Sequence, residues 1–162
     1  MEIGGLPLHA LVVHATVVLI PLSALLVVAF AVLPRWRWLS RWPTALAVVV
    51  VVVLAFVTIR SGQSLLDSRR FLLDTPDLAD QITTHRSRGR LLFWMTIPFA
   101  ALSVFSTWSL GGTSALASGR GARESRVPAL EKVLPALLVL ASVGIIVLTV
   151  LTGDAGSRAV WG

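Results

Sequence analysis

Four stretches of this chain carry no charged side chain and are dominated by Val, Leu, Ala and Ile: Ile3 to Pro34, Thr44 to Ile59, Leu91 to Leu110 and Val133 to Gly153. A helix needs about 20 such residues to cross a hydrocarbon core, and in lipid its backbone polar groups must pair within the segment itself. The expected fold is therefore all-α, an integral membrane four-helix bundle. One membrane domain fills residues 1–162, with spans at about 6–33, 44–66, 90–110 and 132–153.

Composition agrees and removes several classes of function. Of 162 residues, 56% are apolar and 14% charged, with a mean hydropathy of +0.84, well outside the range of a soluble domain. Nothing is left over for a separate soluble module, so a catalytic or redox domain is expected on another chain. The absence of cysteine rules out disulfides, thiolate zinc and cysteine-held iron–sulfur sites, leaving His and carboxylates as metal ligands. The net charge of +6 does not indicate nucleic acid, because the basic residues sit in short connections beside the apolar segments.

The first segment invites a reading as a cleaved signal, with Ala29-Phe30-Ala31 as the site and basic residues following. Its start, Met1-Glu2-Ile3, has no Lys or Arg, and its apolar run exceeds a typical core of roughly 7 to 15 residues, so a retained span is expected. Pro21 should kink it. Pro34 to Pro43 alternates Arg35, Arg37 and Arg41 with Trp36, Trp38 and Trp42 and reads as a short interfacial turn with an aromatic belt. Thr75-Pro76-Asp77 reads as a helix start with a capping hydroxyl, and Leu78, Ile82, His85, Gly89 and Leu92 then share one face. Gly111 to Pro128 reads as a flexible basic loop, and Gly153 is placed to end the fourth span. No convincing internal repeat is evident.

With four spans, both termini and the Asp67 to Arg90 segment share one face. The short Arg35 to Arg41 turn lies where the positive-inside rule is strongest, which puts both termini outside the cytoplasm in a multi-pass cell-membrane protein. Whatever the orientation, His9, His14, Arg60, His85 and Arg158 approach one membrane face.

His9 and His14 are five residues apart, which turns them about 140° from each other on a regular helix. They are not expected to hold one small metal ion together, since zinc sites on a helix use an i, i+4 pair. A flat macrocycle changes the geometry: haem b needs one imidazole on each side, so His9 or His14 can pair with His85 as axial ligands. His9 matches His85 better in depth, and Arg60, Arg86 and Arg158 stand where propionates would reach. The plainer reading is that these histidines are polar anchors or hydrogen-bonding partners between helices. A transporter would more often carry buried acids or broken helix pairs, and spans two to four hold no acid.

Leu6-Pro7-Leu8-His9-Ala10-Leu11-Val12-Val13-His14, Ser61-Gly62-Gln63-Ser64-Leu65, His85 and Gly153-Asp154-Ala155-Gly156-Ser157-Arg158 together resemble a bacterial family of four-helix membrane proteins known only as a domain of unknown function. The resemblance spans nearly the whole chain. The family's first-helix signature is His-Pro-x-x-Val-His, and Ala10 stands here where Pro is usual. Some relatives are joined to Rieske or cytochrome c domains, so the resemblance implies proximity to membrane electron transfer. That association, rather than spacing, places haem ahead of transport.

The expectation is a non-enzymatic membrane module linked to redox chemistry. It would bind haem b through His9 or His14 with His85, with Arg60 and Arg158 beside the cofactor, and would lie in the bilayer with other redox subunits or a second copy. The alternative is a cofactor-free accessory or scaffold subunit. Proton or small-solute transport stands third.

Overall fold

The computed structural model describes residues 2–3 and 6–161, with side chains from 8 to 159. Four long helices account for most of it: α1 Leu8–Val32, α2 Arg37–Ser68, α3 Pro76–Ser109 and α4 Val133–Trp161. All four are long and apolar enough to cross a membrane. A two-residue pairing, Glu2–Ile3 with Leu6–Pro7, precedes α1. The helices run up and down: α1 packs on α2 and α4, and α3 packs on the same two. α1 and α3 are therefore diagonal across the bundle axis, as are α2 and α4.

The inward faces explain the arrangement. Along α2, Arg37, Thr44, Val48, Val51 and Ala55 are buried, and along α3 Leu92, Thr96, Phe99, Ser103 and Ser106. Steps of three and four residues keep one stripe of each helix on the axis, as in coiled coils. Ile20, Ala24, Val27, Phe30, Leu138 and Ile145 complete a shared core. Large apolar residues such as Leu25, Val53, Leu140 and Val150 point outward, where lipid rather than water must meet them. Small and hydroxylated residues such as Ser103, Ser106 and Ser142 share the interior with that core, because close helix approach favours small side chains.

Several boundaries differ from the expectations above. The Pro34 to Pro43 turn is shorter than expected: Pro34–Trp36 forms one 3-10 turn, α2 begins at Arg37, and Pro43 is accommodated inside the helix. Trp36 and Trp42 are exposed, but Trp38 lies partly buried against Gly121. Gly121 has φ +85° and a Cβ there would fall 2.5 Å from the indole Cγ, so only glycine suits the position. Thr75 does precede α3, with Pro76 at its first position, yet its hydroxyl makes no cap hydrogen bond; its carbonyl accepts from the Ala79 N–H at 2.9 Å. Gly153 does not end α4, which continues to Trp161. A helical glycine costs only about 1 kcal/mol, and packing readily outweighs that.

The Gly111 to Pro128 segment is a folded cap rather than a free loop. Gly112 and Arg123 exchange backbone hydrogen bonds at 2.8 and 2.9 Å, and the Arg126 N–H reaches the Ser109 carbonyl at 2.9 Å. Beneath it, Arg37 is only 3% exposed. It donates from Nε to the Phe30 carbonyl (3.0 Å), from Nη1 to Gly111 (2.9 Å) and from Nη2 to Ala31 (2.9 Å). Arg41 donates to the carbonyls of Thr107 and Leu110. Helix ends leave carbonyls without intrahelical donors, and these two arginines satisfy those of α1 and α3 while placing positive charge at the negative dipole ends.

A histidine pair on the bundle axis

At the opposite end, α1 and α3 each send one imidazole inward. The ring centres of His9 and His85 are 6.3 Å apart, with their planes at 75°. His9 Nδ1 lies 3.1 Å from the Thr58 carbonyl on α2, with Ser61 Oγ at 3.3 Å. His85 Nδ1 lies 3.1 Å from the Thr152 carbonyl on α4. A carbonyl can only accept, so Nδ1 carries a proton in both rings, and in the neutral imidazole that leaves the lone pair on Nε2.

The supports of the two rings are the same. A Cβ built on Gly62 would fall 2.9 Å from His9 Cε1, and one on Gly156 would fall 2.9 Å from His85 Cε1. The Thr58 hydroxyl donates to Leu54 at 2.8 Å and the Thr152 hydroxyl to Leu148 at 2.7 Å. Leu54-x-x-x-Thr58-x-x-x-Gly62 on α2 thus corresponds to Leu148-x-x-x-Thr152-x-x-x-Gly156 on α4. Each hairpin, α1 with α2 and α3 with α4, supplies one histidine, one carbonyl that orients it and one glycine that admits it. This corrects the expectation of no internal repeat. The repeated Thr-x-x-x-Gly was the signal available in sequence, with Thr58, Gly62, Thr152 and Gly156 the site residues it would have found.

The other candidates fall outside the pair. His14 is exposed, and its Nδ1 bonds the Ala10 carbonyl of its own helix at 2.5 Å; the turn between His9 and His14 sends it out of the bundle. Arg60 is exposed at the same rim. Arg158 is exposed and paired with Asp154 at 3.1 Å, a contact worth a few tenths of a kcal/mol. Arg86 donates to Gln63 Oε1 at 2.7 Å, tying α3 to α2, and Arg88 donates to the Leu151 carbonyl at 2.9 Å. A groove of about 280 Å³ lies between α3 and α4, lined by Asp80, Thr84, Arg88, Asp154 and Arg158. Among the described residues no cluster of three or more His, Cys, Asp or Glu could hold a metal ion. The pair itself offers two imidazole nitrogens and nothing further.

A family model described as "Predicted membrane protein (DUF2231)" matches residues 5–162. The chain belongs to the DUF2231 family. No curated protein and no solved structure matches it. Membership establishes a multi-pass membrane protein of a family without an assigned function, and the match covers both DUF2231 hairpins, including His9, His85 and the two Thr-x-x-x-Gly segments.

Three substitutions separate the inward pair from its surroundings. Gly62→Ala or Gly156→Ala places a methyl against a ring held by its carbonyl, so unfolding in detergent should lose about 1–3 kcal/mol. Nitrogen-15 spectra of the ring should report an altered Nδ1 proton. His14→Ala should change stability by no more than about 0.5 kcal/mol.

Proposed function

We propose that His9 and His85 are the two axial ligands of a single haem b, and that the protein is a membrane electron-transfer module. The observation that carries this reading is the 6.3 Å separation of the two rings across the axis. His9 and His85 would each hold the group through Nε2, the ring nitrogen that the Nδ1 contacts to Thr58 and Thr152 leave free. A bare ion at that point would need further protein donors, and among the described residues no third His, Cys, Asp or Glu joins the pair. A haem, which brings its own four nitrogens, would need only the two imidazoles from this chain.

The chain's own groups suit this task. Nδ1–H donation to Thr58 and Thr152 fixes each ring and leaves Nε2 as the ligating atom, as is usual for histidine ligands. Gly62 and Gly156, on the α2–α4 diagonal, let the two rings lie directly against the α2 and α4 backbones. Arg60, Arg86 and Arg158 stand at the rim on three helices, where they can meet propionate carboxylates. Haem would supply one-electron chemistry; the protein would supply the ligands, their orientation and a lipid-sheltered surround.

Transport is less well supported. The interior hydroxyls of Ser23, Thr96, Ser103, Thr107 and Thr149 each bond a carbonyl of their own helix three or four residues back, so they form no wire along the axis. The basic end with Arg35, Arg123, Arg126 and Lys132 fits the cytoplasmic side, which puts both termini outside. Redox subunits or a second copy would be the partners.

Protein purified from haem-replete cells should carry one haem per chain and a Soret band that shifts on adding dithionite. A colourless preparation that also refuses added haemin would leave the cofactor-free scaffold as the better account.

A further inference from the structure

The end of the bundle away from the histidines holds more cationic charge than the fold uses. Arg37 is spent on three carbonyls. Around the last turn of α3 stand three more guanidinium groups. Arg41 reaches the Thr107 and Leu110 carbonyls, Arg123 Nη2 donates to the Trp108 carbonyl at 2.7 Å, and the Arg126 guanidinium lies 4.7 Å above the Trp108 ring. Arg41 is repelled by Arg123, Arg37 and Arg126 together. A helix C-terminus offsets only about half an elementary charge, and the ion pairs seen among the described residues, Arg70 with Asp67 and Arg158 with Asp154, lie at the other end. Among those residues the Arg126 side chain makes no hydrogen bond.

We propose that Arg41, Arg123 and Arg126 bind the phosphate of an anionic phospholipid headgroup. Guanidinium forks match phosphate oxygens two at a time, and the free N–H donors of Arg126 need such acceptors. Trp108, 51% exposed, lies under Arg126, and Trp42, 78% exposed, follows Arg41 in α2; indoles settle at headgroup depth. Phe105, 41% exposed and stacked 5.9 Å from Trp108, continues the surface toward the acyl chains. A basic pocket between helix ends beside apolar surface is the arrangement that selects a charged lipid over a zwitterionic one.

The test uses the full chain in an uncharged maltoside detergent at low salt. Short-chain phosphatidylglycerol, phosphatidylcholine and inorganic phosphate are titrated separately, with binding read by native mass spectrometry and by the thermal midpoint. Phosphatidylglycerol should bind about tenfold or more better than phosphatidylcholine; Arg126→Gln should weaken it roughly fivefold and the Arg123→Gln, Arg126→Gln double variant about 25-fold. Arg90→Gln, at the far end, should leave it unchanged. Arg126→Gln removes no hydrogen bond, only its contact with the Trp108 ring, so an unchanged thermal midpoint without lipid separates lost binding from misfolding. Equal binding of phosphatidylcholine, or undiminished phosphatidylglycerol binding in both variants, overturns the site. Inorganic phosphate reproducing the whole midpoint shift overturns a lipid as its source.

Discussion

Replacing Arg37 with alanine should cost about 4 kcal/mol of unfolding free energy in detergent, the largest loss expected of any single substitution outside the histidine pair. Three carbonyls, those of Phe30, Ala31 and Gly111, take their donor from this one side chain. Each hydrogen bond to a charged donor contributes roughly 1.5–3 kcal/mol, and a buried acceptor left bare keeps its desolvation cost; three in one network sum to less than the separate values. Arg37→Lys should recover less than half, because an ammonium is a single point of donation where the guanidinium presents a planar fork. Reversible unfolding followed by circular dichroism checks both variants. A loss under about 1 kcal/mol for Arg37→Ala would show that water reaches these carbonyls and that the α1–α2 corner is held by something else.

The second large effect concerns the proposed site. His85→Ala and His9→Ala should each weaken uptake of added haemin by at least about 100-fold, since the loss of an orienting group alone costs 10–100-fold in metal sites and these are the ligands themselves. His14→Ala should bind as the parent protein does, because that ring faces outward. The contrast between His9 and His14 is the discriminating part. Equal losses in both would point to general damage at the start of α1, and no loss in either would remove α1 from the site.

The four rods were legible because a charge is costly in lipid, so the uncharged segments mark the spans whatever their neighbours do. Their ends were harder to read. Arg37 reads as a headgroup cation from its place beside Trp36 and Trp38, but the carbonyls it serves come from α1 and from the Gly111 turn, far off in sequence. Gly153 reads as a stop because glycine commonly ends helices, yet Ala155 is buried two residues on, and packing carries α4 past it.

The depth match between His9 and His85 was readable from a constant rise per residue, as was the divergence of His14. The groups that orient the imidazoles were not, because backbone carbonyls of Thr58 and Thr152 leave no mark in residue type. The Thr-x-x-x-Gly pair was visible in principle. It consists of so few identical residues, so far apart, that only the shared geometry of the two hairpins makes it a repeat.

The central claim is that His9 and His85 ligate one haem iron from opposite sides, and low-temperature electron paramagnetic resonance of the oxidised, purified protein tests it most directly. With the two ring planes at 75°, the account predicts a strongly anisotropic low-spin ferric signal, one per chain, that disappears in His85→Ala. A high-spin ferric signal from the intact protein, or a low-spin signal that survives in His85→Ala, would contradict it.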